Sequence, residues 1–180
     1  EPKIDGCAMA VRYVDGLLVK AWTRKGIDKT YCMRMIEDLP KHIIAKGTVD
    51  IRGELYGKGL IPARSQRLAA GHLRKKQPSG MGLSFCAFQI FDAKGTEVSN
   101  LQQLVKWGFH VCGYIKIDKD VVNRVKKLHS QWQDSLIFSR YPTDGIVIKV
   151  LDKDLQDKIG RTSIAPSWAT AIKDTWKKTW

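Results

Sequence analysis

Three lysines and one glutamate stand in short, apolar, strand-like runs: Lys3 in "EPKIDG", Glu54 in "DIRGELYG", Lys149 in "DGIVIK" and Lys173 in "ATAIK". A charge in such a run needs a reason, because leaving water is costly unless the charge is paired. A single strand lysine can snorkel to solvent and mean nothing more. Four such positions together describe a pocket lined by cations and one carboxylate, which suits a bound nucleotide.

The elements that would carry these residues can be read from pattern. "CAMAVRYVDGLLVKAWTR" (7–24) is two strand-like runs joined by Asp15-Gly16, a strong hairpin signal. "TVDIRGELYGKG" (48–59) is a further strand running into a glycine-rich loop, and "IEDLPKHI" supplies a turn. Within "PARSQRLAAGHLRKK" (62–76) a helix is expected from about Ser65, rich in arginine and lysine. "LSFCAFQIFD" (83–92) is continuously apolar and is expected to be a central strand. Two helices follow, with Asn100 and Asp118 as the cap candidates. In the second, Val121, Val125, Leu128 and Trp132 share one face. "TDGIVIKVLD" (143–152) and "APSWATAIK" (165–173) complete the strands. Strands scattered in hairpins among helices indicate an α+β fold rather than a doubly wound one.

The 180 residues are enough for one domain with a real core. A formal charge of +13, from 31 basic and 18 acidic residues, favours a polyanionic partner, nucleic acid before an anionic membrane. A well-solvated basic surface explains the charge equally well. The cysteines at 7, 32, 86 and 112 show no C-x-x-C pair, which disfavours a zinc knuckle and fits a reducing interior. Cys7 and Cys86, in apolar runs, are expected to be buried thiols. No apolar run of membrane-spanning length is present, so no membrane partner is expected.

Five segments in order, "KIDG" (3–6), "RGE" (52–54), "FCAF" (85–88), "DGIVIK" (144–149) and "APSWATAIK" (165–173), resemble the nucleotidyltransferase motifs of NAD-dependent DNA ligases. The likeness runs over nearly all of residues 1–173, leaving 174–180 as a basic, aromatic tail. It implies an ATP-grasp-like adenylation domain of antiparallel sheets flanked by helices. It also implies that Lys3 attacks the α-phosphorus of NAD, expels nicotinamide mononucleotide and becomes a lysyl-AMP. A free lysine has a pKa near ~10.4, so only about one in a thousand is neutral at pH 7.5. Neighbouring cations and burial favour the neutral amine, and Lys149, Lys173 and Arg24 are the expected sources of that field.

By the same resemblance, Glu1 contacts adenine, Phe88 stacks on it in place of a tyrosine, and Glu54 accepts hydrogen bonds from the ribose. Lys149 reaches the adenine or phosphate region, Lys173 the α-phosphate, and Arg24 the reacting phosphate. Asp5 and Asp144 orient the lysines or hold Mg²⁺ through water, although Asp before Gly is also a common turn residue. Arg74, with Arg64 or Arg67, would grip phosphates of nicked duplex DNA.

The chain departs from the family in places. "KGIDKT" replaces a glycine-rich run after Arg24, and "SRYP" precedes Asp144, where Arg140 is an unaligned substitute for a family arginine. The family's N-terminal module that captures nicotinamide mononucleotide is not in this sequence, nor are its oligonucleotide-binding (OB), zinc-finger, helix-hairpin-helix (HhH) and terminal (BRCT) domains. The expectation is a fragment, a minimised phage or viral form, or one part of a split ligase whose partner chain supplies the missing module. A cytoplasmic setting is implied, in a bacterium or an infected cell. Two other readings remain open from sequence: an ATP-dependent nucleotidyltransferase of the RNA ligase or capping type, and a non-catalytic basic module that binds DNA.

Overall fold

In the computed structural model, residues 1–162 and 166–173 are described. Ala165 of "APSWATAIK" and the tail 174–180 lie outside them. The chain begins with β1 (Pro2–Ile4) and then the hairpin of β2 (Cys7–Val14) and β3 (Leu17–Thr23), closed by Asp15-Gly16 as its sequence signals. After α1 (Thr30–Arg34) come β4 (Thr48–Gly57), α2 (Pro62–His72) and β5 (Leu83–Ile90). The second half holds α3 (Glu97–Lys106), α4 (Val121–Gln133), β6 (Thr143–Lys149), α5 (Lys153–Ile159) and β7 (Ala169–Lys173). The strands form a four-stranded sheet, β3-β2-β4-β5, and a three-stranded sheet, β1-β6-β7, antiparallel throughout. The α+β class with antiparallel sheets is therefore as expected.

The main core lies against the larger sheet. Met9, Val11, Tyr13, Ile51, Leu55 and Phe85 project from its strands onto Met33, Ile36, Leu104 and Phe109. A smaller cluster joins the two sheets: Tyr56, Cys86 and Cys112 are buried, with Ile4 and Tyr141 packed against them. The segment "KIDG" is the crossing point, since β1 belongs to one sheet and β2 to the other. Backbone packs tightly here. A Cβ on Gly6 would sit 2.1 Å from the Leu55 carbonyl oxygen, and one on Gly145 would sit 2.2 Å from that of Ile172. The glycines of the Asp5-Gly6 and Asp144-Gly145 pairs are thus demanded by close approach.

Several boundaries differ from the pattern reading. Helix α2 starts at Pro62, three residues before Ser65, because proline's missing N–H and fixed φ suit the first helical turn. Strand β5 is not central but ends the sheet order. Its run is apolar because both faces are covered and because His110 bridges Cys86 along its outer edge, with Ala87 N–H donating to the His110 carbonyl at 2.9 Å. Thr96, not Asn100, caps α3: its side chain accepts from Ser99 N–H while the Ser99 hydroxyl accepts from Thr96 N–H. Helix α4 begins after Asp120, whose carboxylate accepts from the Asn123 amide, and not after Asp118. On its expected apolar face Val125 is buried and Val121 exposed.

The capping box predicts an asymmetry between two neighbouring polar residues. Thr96→Ala should cost about 1 kcal/mol in urea denaturation, and Asn100→Ala less than about 0.5 kcal/mol. Equal losses would reject the box as the helix start.

Candidate active site

Strand β1 offers Lys3 to β6, its antiparallel neighbour, and β7 lies on the far side of β6. Three consecutive strands therefore bring their polar ends together. The Lys3 Nζ donates to Asp144 Oδ1 at 2.6 Å, and the Lys173 Nζ lies 3.0 Å from Asp144 Oδ2. One carboxylate is thus shared by two lysines. Burial raises the Asp144 pKa, but the hydrogen bonds and charges of Lys3 and Lys173 outweigh it and hold the carboxyl below its usual range.

Asp5, just beyond Lys3 in the chain, anchors the same corner through its N–H, which donates to the Pro142 carbonyl at 2.8 Å. Its pKa is raised, first by burial and then by the negative charge of Asp144, against the pull of Lys3 and Lys173. Glu54 comes in from β4 and accepts from the Gly6 backbone N–H. Burial pushes its pKa up to about 8, opposed by Lys3 and Arg52. The cationic surround expected for Lys3 is not what the structure builds. Lys3 is paired directly with a carboxylate, and Lys173 is reached through it, because Asp144 stands between β1 and β7.

A second group lies along the same strands. Lys149, at the end of β6, pairs with Glu1 Oε2 at 2.7 Å and donates to the Phe88 carbonyl at 3.3 Å. Its ammonium also stands over the Phe88 ring, 5.4 Å from the centroid. Glu1, Phe88 and Lys149 are therefore together. Sequence reasoning missed what supports them. Glu97 at the first turn of α3 is buried, 3.8 Å from Lys149 and 3.2 Å from Lys153. Gln156 closes the group, giving its amide to Glu97 at 2.7 Å and accepting from Lys153 at 2.8 Å. The spacing Lys153–Gln156 on one helix face is visible in sequence, but its pairing with Glu97 spans 56 to 59 positions.

Clefts open beside both groups. One of about 830 Å³ is walled by Ile61, Trp132, Tyr141 and Thr143 next to Asp144 and Lys173. The other, of about 600 Å³, places Leu101, Tyr114, Val125 and Trp168 around Glu1 and Lys149. Arg24 lies exposed in the turn after β3. Arg64 and Arg67 are exposed on α2, and Arg74 is exposed just beyond its end. Helix α2 is fastened to the lysine corner by Ser65, fully buried, whose hydroxyl donates to the Asp5 carbonyl and accepts from Gly57 N–H, both at 3.0 Å.

Comparison with known proteins decides the family. The family model for the NAD-dependent DNA ligase adenylation domain matches residues 1–176. The chain belongs to that family. Among curated relatives, a DNA ligase of Anaplasma phagocytophilum is 33% identical over 192 residues, and one of Borrelia turicatae is 32% identical over 201. A DNA ligase of Xanthobacter autotrophicus is 30% identical over 203 residues. Each alignment covers 96% of this chain and 28 to 29% of the relative, so the chain spans under a third of those proteins. The NAD-type family is the one matched, rather than an ATP-dependent type. Among the described residues no helix is long and apolar enough to cross a membrane.

Glu54 gives a pH prediction. Its folded pKa of about 8 exceeds the ordinary glutamate value of 4.5, so the native state binds more protons between those values. Its contribution to stability is fully present below the unfolded pKa and is lost as pH rises through the folded one. Unfolding free energies measured at pH 5.5 and pH 9 should fall more for wild type than for Glu54→Gln, by roughly a few kcal/mol at most. Parallel profiles would show that Glu54 is not the titrating group.

Proposed function

We propose that this chain is the catalytic adenylation domain of an NAD-dependent DNA ligase, with Lys3 as the residue that becomes adenylated. The observation that carries the reading is Asp144 holding Lys3 on one oxygen and Lys173 on the other. In this reading Lys3 is the nucleophile and Lys173 the phosphate-binding cation, one on either side of that carboxylate. The two antiparallel sheets are read as an ATP-grasp-like nucleotidyltransferase core.

In this reading the adenine enters beside Glu1, Lys149 and Phe88, where a carboxylate, an ammonium and a ring face meet. Glu54 takes the ribose hydroxyls. Hydrogen bonds to its charged form would bring its raised pKa down on binding. The α-phosphate then lies next to Lys3 and Lys173, with Arg24 approaching from the end of β3. The ammonium of Lys3 first gives one proton to solvent water, and the neutral amine then attacks the α-phosphorus, losing a second proton to solvent as the new bond forms. An N–P bond forms, the bond from that phosphorus to the bridging oxygen breaks, and nicotinamide mononucleotide leaves with the electron pair. Lys173 offsets the charge that gathers on the phosphate oxygens in the transition state.

The residues present also fit Mg²⁺. Asp5 and Asp144 are close enough that the charge of one raises the pKa of the other, and a cation nearby would offset that repulsion. Their carboxylates would hold it through water, where it would neutralise phosphate charge. DNA is read as lying over α2. Arg64, Arg67 and Arg74 would take phosphates beside a nick, which the lysyl-AMP activates for sealing.

Intact-mass spectrometry tests the adenylation. The chain is incubated with Mg²⁺ and either NAD or ATP, alone and with the N-terminal module of a family member added. An adenylyl adduct on Lys3, lost in Lys3→Ala and reduced at least about 100-fold in rate in Lys173→Ala, is expected. An adduct formed with ATP only, or with neither nucleotide under both conditions, sinks the reading.

The DNA surface has a separate check by fluorescence anisotropy on a nicked duplex. Substituting Arg64, Arg67 and Arg74 by alanine together should lower affinity and reduce the salt slope by about 0.9 for each phosphate no longer neutralised. An unchanged slope would move the DNA elsewhere on the domain.

A further inference from the structure

Away from the lysine corner, three ligand-type side chains meet where the two halves of the chain join. Cys86 lies on β5, and the extended segment after α3 runs beside it, with His110 bridged directly to Cys86. In extended chain, residues two apart face the same side, so His110 and Cys112 point together toward Cys86. The Cys86 and Cys112 sulfurs are in disulfide contact, with Cα atoms 6.4 Å apart. One ligand atom from each of Cys86, His110 and Cys112 lies within 4.8 Å of the others. Neither cysteine is the isolated thiol that its apolar run led us to expect for Cys86. Cys7, by contrast, is unpaired and half-buried, and burial pushes its thiol up to about 11.

We propose that the dithiol form of this cluster is a structural site for a soft divalent cation, with Zn²⁺ as its best match, held by Cys86, His110 and Cys112. Two thiolates and an imidazole are the donor set zinc prefers, with water completing a fourth position. Around zinc, tetrahedral sulfur and nitrogen ligands lie about 3.3–3.8 Å apart. The sulfurs reach that separation by turning away from each other, within the space the three groups already share. Binding displaces one proton from each thiol, and no electron transfer is involved. The pair must be in its dithiol form, two electrons more reduced than a disulfide.

The surroundings fit a fixed ligand set. The His110 ring is oriented through Nε2 by the Tyr56 hydroxyl at 3.3 Å and flanked by Tyr141, with centroids 5.9 Å apart. A hydrogen-bonded partner that fixes ring orientation is the usual support of a histidine ligand. Cys86 and Cys112 are both buried, 2% and 9% exposed, so the donors are shielded from bulk solvent. The location gives such a site a purpose. Ile4, next to Lys3, packs on this cluster, and Cys86 is the register partner of Glu54. A cation here would fasten the segment leading to α4 onto the sheet that carries Glu54.

The test is anaerobic titration of the chain, fully reduced by a phosphine that is then removed, with Co²⁺ as a coloured stand-in for zinc. Saturable one-to-one binding with a thiolate-to-cobalt charge-transfer band, bleached by Zn²⁺, is expected. Zn²⁺ should also protect Cys86 and Cys112 from alkylation, mapped by peptide mass, and His110→Ala should weaken Co²⁺ binding at least tenfold. No thiolate band in the reduced chain would overturn the assignment and leave Cys86–Cys112 as a plain disulfide. A band that survives in the Cys86→Ser, Cys112→Ser double variant would overturn it equally.

Discussion

One carboxylate between two ammonium groups is the constraint on which the lysine corner depends. Asp144 is only partly exposed, and each of its oxygens is taken by a lysine from a different neighbouring strand. Ion pairs on open surface are weak, but one that joins three strands sets a geometry as well as an energy. It fixes how far the ends of β1 and β7 can lie from β6. The two bridged lysines therefore hold positions a few ångströms apart without repelling each other into solvent. The corner thus holds two ammonium groups whose charge is partly balanced by one carboxylate.

Lys149 is held by a different logic. Its partners Glu1 and Glu97 are shielded, and Glu97 is only 3% exposed in the folded chain. A buried carboxylate is tolerable only when its lone pairs are filled, and Lys153 and Gln156 fill them. Removing one member of such a group leaves a charge without a partner, at a cost of about 3–5 kcal/mol. The network links α3, β6 and α5, so the cation beside Phe88 rests on three elements rather than on a flexible side chain.

Much of this could be read from the chain. The hairpin at Asp15-Gly16 was legible because its turn chemistry is local and its flanks alternate. The residues of the lysine corner were legible because charges in apolar strands are anomalies, and their motifs occur in family order. What escaped was set by distant contacts. Thr96 outranks Asn100 as a cap because the chain enters α3 in extended form, bridged at Thr96 to the distant Asp152. The apolar run of β5, although the strand ends its sheet, depends on a segment more than 20 residues away lying along its outer edge. Nothing in the spacing of Cys86 and Cys112 announces their meeting, since the fold alone closes the 26 positions between them. Glu97 reads as an ordinary first-turn acid favoured by the helix dipole. That reading hides its burial.

The Asp5-Gly6 and Asp144-Gly145 pairs carry a lesson about how such a motif should be spelled. In "KIDG" and "DGIVIK" the lysines and aspartates are chosen by what they bond to. The glycines are chosen by what lies behind them, a carbonyl just over 2 Å from where a Cβ would stand. The letters of the motif therefore answer to two different selective pressures, one chemical and one steric. A chain that lost these lysines would still need the glycines, Gly6 for its approach to the Leu55 carbonyl on β4 and Gly145 for its approach to the Ile172 carbonyl on β7. Surviving glycines alone would be a signature of fold, and only the charged letters beside them would report an active corner.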